Sequence, residues 1–148
     1  MYFIVLLLHS WIRWVALVGA IGTVLAALMN RERTAEGWSL VAMIALDLQL
    51  LLGLLLYLVV SPNMKEITAH FGEAMQNPQL RFWAVEHVTA MLAAIVLAHV
   101  GRVLARKAAT PAAKRGRLLI CFGLATILMF VGMPWPGGRG GRPLFRFS

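Results

Sequence analysis

Ionisable side chains stand inside stretches that are otherwise apolar: His9, Arg13, Asp47, Glu86, His87 and His99. A charge at bilayer depth costs about 2.5–3.5 kcal/mol on insertion scales, so each such residue marks a candidate site. Two of the histidines have matching depth. At 1.5 Å per residue His9 lies about 9–10 Å from Phe3, and His87 lies about 9 Å from Arg81. On antiparallel helices these positions come level, and two imidazoles on facing helices are the ligand set of a b-type haem. Arg13 stands one turn below His9 on the same face, where it is expected to pair with Glu86 or with a haem propionate. Arg81 and the tail arginines Arg139, Arg142 and Arg146 gather at the same end. They are alternative propionate partners, because bidentate arginine–carboxylate contacts are strong.

Asp47 and His99 form a second constellation, both in the inner half of their helices. Twelve residues separate His87 from His99, about 120° of rotation at 3.6 residues per turn, so the two histidines address different neighbours. Asp47 with His99 is expected to form a structural hydrogen-bonded pair, a proton or quinone site, or a second cofactor site; Glu86 is a further candidate there. Metal transport through His9, Glu86 and His87 would need ligands at successive depths, and the inner half offers only Asp47 and His99. His70 reads as a surface residue. Met29, Met43, Met91, Met129 and Met133 are scattered and read as packing. The single cysteine, Cys121, cannot form an intramolecular disulfide and reads as a small buried apolar group. No CxxCH haem attachment, phosphate loop or zinc-like cluster occurs in the sequence.

The elements that must position these groups are membrane spans. Of 148 residues, 60% are hydrophobic and only 14% charged, against about a quarter in soluble domains. Apolar stretches at 2–29, 38–60, 82–104 and 118–133 each approach or exceed the length needed to cross. The fold class is all-α: one integral membrane four-helix bundle over 1–148, antiparallel, with an irregular Pro/Gly/Arg tail at 134–148. The first helix lacks a basic start and is expected to be retained rather than cleaved. In the connection 61–81, Met64, Ile67, Phe71 and Met75 follow a helical repeat and predict a short amphipathic helix on the outer surface. Gly19, Gly22 and Gly53 predict close helix approach. Tyr2, Trp83 and Trp135 predict an outer aromatic belt, and Trp38 an inner anchor.

The net charge of +8 does not predict nucleic-acid binding, because the basic residues crowd two short connections. Arg31 and Arg33 lie between the first two spans. Arg102, Arg106, Lys107, Lys114, Arg115 and Arg117 lie between the last two. Basic short loops stay cytoplasmic, which places both termini outside.

The stretches "LLLHSWIRWVAL", "LDLQLLLGLLLYLVVSP", "RFWAVEHVTAMLAAIVLAHVGR" and "PWPGGRGGRPLFRF" resemble a family of small bacterial four-span membrane proteins labelled cytochrome b-like. The resemblance covers most of the chain. It implies haem b held by helix histidines in the bacterial inner membrane, with electron transfer between the quinol pool and an outer-side acceptor, or a place as a subunit in a respiratory complex. It carries over onto His9 and His87. In relatives a histidine can precede "QLLLG" where this chain has Asp47, and carboxylate substitutes poorly for imidazole at a low-spin haem. One haem, rather than two, is therefore implied. The alternative class is a cofactor-free membrane subunit whose polar pairs fix packing and whose outer helix docks a partner.

Overall fold

A computed structural model describes residues 1–145; Arg146 lies outside the described residues. Helix α1 spans Tyr2–Leu28. Helix α2 spans Glu32–Leu55 and continues through a π-helical turn at Leu56–Val60. Three short helices follow at the end of the bundle that the charge pattern predicts to face outward, termed the outer end: α3 (Pro62–Ala69), α4 (Phe71–Gln76) and α5 (Pro78–Arg81). A second π-helical turn, Phe82–Glu86, leads into α6 (His87–Arg106), and α7 spans Pro111–Gly132. Four of these rods, Tyr2–Leu28, Glu32–Val60, Pro78–Arg106 and Pro111–Gly132, are long and apolar enough to cross a membrane. The chain is an all-helical, multi-pass membrane bundle.

Both inner connections are shorter than hydropathy predicts. Helix α2 begins at Glu32 rather than 38, and α7 at Pro111 rather than 118. The polar inner turns stay helical because they neutralise one another: Lys114 Nζ lies 2.9 Å from Glu32 and 2.8 Å from Glu36, which are one turn apart on α2. Thr110 caps α7 by accepting from the Ala113 N–H at 3.1 Å, with Pro111 at the first helical position. Ser61-Pro62 and Asn77-Pro78 start α3 and α5 in the same way. Between α1 and α2 the chain turns at Asn30, whose φ of 58° is the left-handed conformation of a helix stop. Arg31 N–H reaches back to the Ala26 carbonyl at 2.9 Å to complete that stop.

The outer connection is helical but does not form one amphipathic rod. It breaks at His70, so Met64, Ile67 and Ala74 are buried while Phe71 turns outward. The four-residue register predicted for Phe71 is lost at that break. His70 itself is exposed.

Around the bundle α1 packs on α2 and α7, and α7 on α6, whereas α2 meets α6 only loosely. Small residues make the tight contacts. A Cβ on Gly19 would lie 2.9 Å from the Ala42 backbone nitrogen, and one on Gly22 would lie 2.8 Å from the Trp38 ring. A Cβ on Gly101 would lie 2.5 Å from Cys121 Cβ, so α6 and α7 touch nearly backbone to backbone. Close approach of this kind is how helices associate where lipid removes any hydrophobic drive between them. Thr23 and Thr126 satisfy their hydroxyls on the carbonyls one turn back, at 2.8 and 2.7 Å.

Candidate functional site

The outer half of the bundle holds a cavity of about 170 Å³, walled by residues of all four spans and roofed by the outer connection and the tail. Its two principal imidazoles face each other: the His9 and His87 ring centroids are 6.3 Å apart with planes crossed at 68°. His9 is carried by α1, and Gly53 on α2 leaves it room, since a Cβ there would lie 3.3 Å from His9 Cε1. His87 is the first residue of α6 beyond the π-helical turn.

The end of α7 fixes the His87 ring. The last carbonyls of a helix have no donor within it. His87 Nδ1 lies 2.6 Å from the Gly132 carbonyl oxygen, so Nδ1–H donates and Nε2 is left as the free nitrogen. Gly132 permits this approach, because a Cβ there would lie 2.9 Å from Ala90 Cβ. The Phe82 and Trp83 rings pack against the same imidazole at 6.0 and 5.5 Å. On the opposite side Gln49 Nε2 donates to the His9 carbonyl at 2.9 Å. His9 Nδ1 and Gln49 Oε1 are buried with no hydrogen-bond partner among the described residues.

The two π-helical turns shape the cavity mouth. A π turn brings residue i beside i+5 and recurs at functional sites. Here it places Arg81 Nε 2.9 Å from Glu86 Oε1, and Arg139 approaches the other carboxylate oxygen at 3.1 Å. Tyr57, in the π turn of α2, donates its hydroxyl to the Ala84 carbonyl at 2.8 Å and ties the two turns together.

Several sequence expectations are thereby corrected. Glu86 is held by Arg81 and Arg139, so the pairing of Arg13 with Glu86 is replaced. Arg13 instead donates to the tail carbonyls of Pro143, at 3.3 Å, and Leu144. Arg81 is drawn to Glu86 and the Met75 carbonyl and does not line the cavity. Arg13 and Arg142 do line it. Trp83 also lines the cavity, with the Arg142 guanidinium 4.7 Å above its ring. Met91, Met129 and Met133 pack in or against the core, in keeping with the packing expected of them, and also line the cavity. Among the described residues no three His, Cys, Asp or Glu side chains gather round a metal-sized point, and Glu86 does not join the two histidines.

The tail is irregular, as its composition predicts, but it is packed. It folds back along α1, where Trp14 Nε1 donates to the Leu144 carbonyl at 3.2 Å and the Phe145 ring stacks on Trp14 at 5.3 Å. The inner constellation also forms: His99 Nε2 and Asp47 Oδ1 are 2.8 Å apart across α2 and α6. Gln49, Tyr57 and Trp83 were not assigned to the site from sequence. Only Gln49 carried a signal, as an amide in the middle of an apolar span.

No family model, curated protein or solved structure matches this chain.

Proposed function

We propose that the protein is a membrane b-type cytochrome in which His9 and His87 would hold one haem in the outer cavity. The observation that carries this reading is the pair of imidazoles 6.3 Å apart across a cavity. Two imidazoles this close on neighbouring helices are a donor set that could share one metal ion. The donor set fits in a second respect. His87 is oriented by a backbone carbonyl on Nδ1, the usual outer partner of a metal-binding histidine, and Nε2 is left free. The walls are largely apolar, and Arg13 and Arg142 would take haem carboxylates. A cavity of about 170 Å³ is smaller than a macrocycle, so the tail and outer helices that roof it would have to part to admit one. Arg81, engaged with Glu86, is the weaker candidate for that role.

Bound haem would supply one-electron redox chemistry, whose potential depends on axial ligands, burial and nearby charge. The chain's own residues would set those terms. Gly132 fixes the His87 tautomer, Gly53 seats His9, and the tail and outer helices limit water. Electrons would pass between a membrane quinol and an outer-side acceptor, or within a respiratory complex that contains this chain. The basic inner turns support an orientation with both termini outside a bacterial inner membrane.

The test is a reduced-minus-oxidised visible spectrum of detergent-purified protein expressed with added haem. A sharp low-spin α-band is expected, and it should vanish in His87→Leu and in His9→Leu while elution and helicity are unchanged. A flat spectrum from the natural chain, or a band that survives both substitutions, would rule out the ligand assignment. The chain would then be read as a cofactor-free membrane subunit.

A further inference from the structure

The Asp47–His99 pair presents a problem that the cavity does not solve. It lies about 22 Å along α2 from Glu32 and about 10 Å along α6 from Arg106, at 1.5 Å per residue, deep in the spans. Yet the pair is not inside the bundle: the side chains are 44% and 47% exposed, on the outward face of the loose α2–α6 seam. Within about one helical turn of it in sequence, Ile44, Leu48 and Leu51 on α2 and Val96 and Val100 on α6 are all exposed. Helix α2 is the least covered span, with 11% of its most apolar window buried against 33% for α1 and α7. Ionisable groups at this depth almost always face protein or a water-filled space, not lipid.

The geometry of the pair says what would cover it. The internal contact uses one atom of each group, Nε2 of His99 and Oδ1 of Asp47. Nδ1 of His99 and Oδ2 of Asp47 make no hydrogen bond among the described residues. One unpaired nitrogen and one unpaired oxygen on a half-exposed pair are complementary to the same pair rotated by a two-fold axis along the membrane normal. About such an axis α2 faces α6 of the second copy, and Asp47 of each chain meets His99 of the other. Where His99 donates from both ring nitrogens, Nε2–H to Asp47 of its own chain and Nδ1–H to Asp47 of the second copy, the four remaining polar atoms are paired. Closed two-fold pairing of one patch with itself is the commonest oligomeric arrangement.

We propose that the α2–α6 seam is the interface of a two-fold homodimer, centred on a reciprocal Asp47–His99 hydrogen-bond square. The proposal is independent of the cavity's ligand. It assigns the inner polar constellation to assembly and leaves the outer one for chemistry.

The test is site-directed crosslinking of the full-length protein in proteoliposomes, in a Cys121→Ala background, with single cysteines at four exposed positions. Leu51→Cys and Val96→Cys report the seam, and Val18→Cys on α1 and Ile127→Cys on α7 report the other faces. Crosslinked dimer is expected from the two seam positions at least about 10-fold faster than from the two controls. Adding Asp47→Leu or His99→Leu to Val96→Cys should slow it by about 10-fold, since interhelical hydrogen bonds contribute modestly and two are lost per dimer. The comparison of four positions stands even where those substitutions prevent folding. Equal rates from all faces, faster crosslinking from the controls, or a seam rate unmoved by both leucine substitutions in folded protein would overturn the proposal. So would a monomeric seam that binds an added lipid-soluble quinone, which would give the face to a small ligand.

Discussion

The two halves of the bundle treat their polar groups in opposite ways. At the inner end three long charged side chains find protein partners. Arg102 donates to the Glu36 carbonyl at 3.0 Å and to Ser39 Oγ, Arg117 donates to the Leu104 carbonyl, and Lys114 bridges two glutamates. Between these groups the helices are joined by alanine, glycine and cysteine at near-backbone separation. At the outer end the helices part, the walls are mainly leucine and methionine with Tyr2, Tyr57 and Trp83 among them, and His9 Nδ1 and Gln49 Oε1 remain unpartnered among the described residues. Stability is concentrated where polar groups are closed off against one another. Binding capacity is concentrated where they are left open, which is the division expected when a rigid base supports a site that must accept something.

The sharpest way to break this comparison is to overfill the inner half. A Cβ at Gly101 already lies 2.5 Å from Cys121 Cβ, and neither atom is the end of a flexible chain. Gly101→Val should therefore cost roughly 3 kcal/mol or prevent assembly, at the upper end of overpacking effects. Unfolding of the purified protein in detergent measures it. Cys121→Gly in the same chain should recover part of the loss, whereas Cys121→Ser should recover none, because the clash is with Cβ. Full stability of Gly101→Val would mean that the inner half is as loosely packed as the outer.

The matching change in the outer half should separate stability from binding. Gly53→Ala places a Cβ 3.3 Å from His9 Cε1, a tight contact with a ring that borders open space. Stability should change by no more than about 0.5 kcal/mol, because the ring can give way into the cavity. Haem uptake, read as the absorbance ratio of haem to protein, should fall several-fold as His9 is displaced. An unfolding midpoint lowered as far as that of Gly101→Val would show that the outer glycine is structural too.

How much of this was legible in the sequence follows from which periodicity applied. The four spans, the common depth of His9 and His87, and the meeting of Asp47 with His99 all follow from a rise of 1.5 Å per residue in antiparallel helices. The pairing of Glu86 with Arg81 was not legible because that arithmetic assumes 3.6 residues per turn. Across a π-helical turn Arg81 reaches the residue five positions on, and Arg13 is left for the tail. The inner helix ends were missed because hydropathy stops at the first charge, although Thr110-Pro111 is itself a readable helix start. The fold-back of the tail was not legible, since Pro, Gly and Arg carry no period that would place Leu144 against Arg13 and Trp14.

The smallest expected effect tests whether the tail belongs to the outer site or merely covers it. Arg142 lines the cavity while its guanidinium rests on Trp83, partly open to solvent. Removing a positive charge near a haem favours the oxidised iron, which carries one charge more, so Arg142→Gln should lower the midpoint potential. Solvent screening at a half-exposed site limits the shift to a few tens of millivolts, and added salt should shrink it further. Potentiometric titration of the α-band measures both the sign and the salt dependence. Arg139→Gln, whose partner is Glu86 outside the cavity, should shift the potential less. If both substitutions act equally, the tail contributes only diffuse charge. If Arg142 alone acts, the last turns of the chain are part of the site that the four spans leave open.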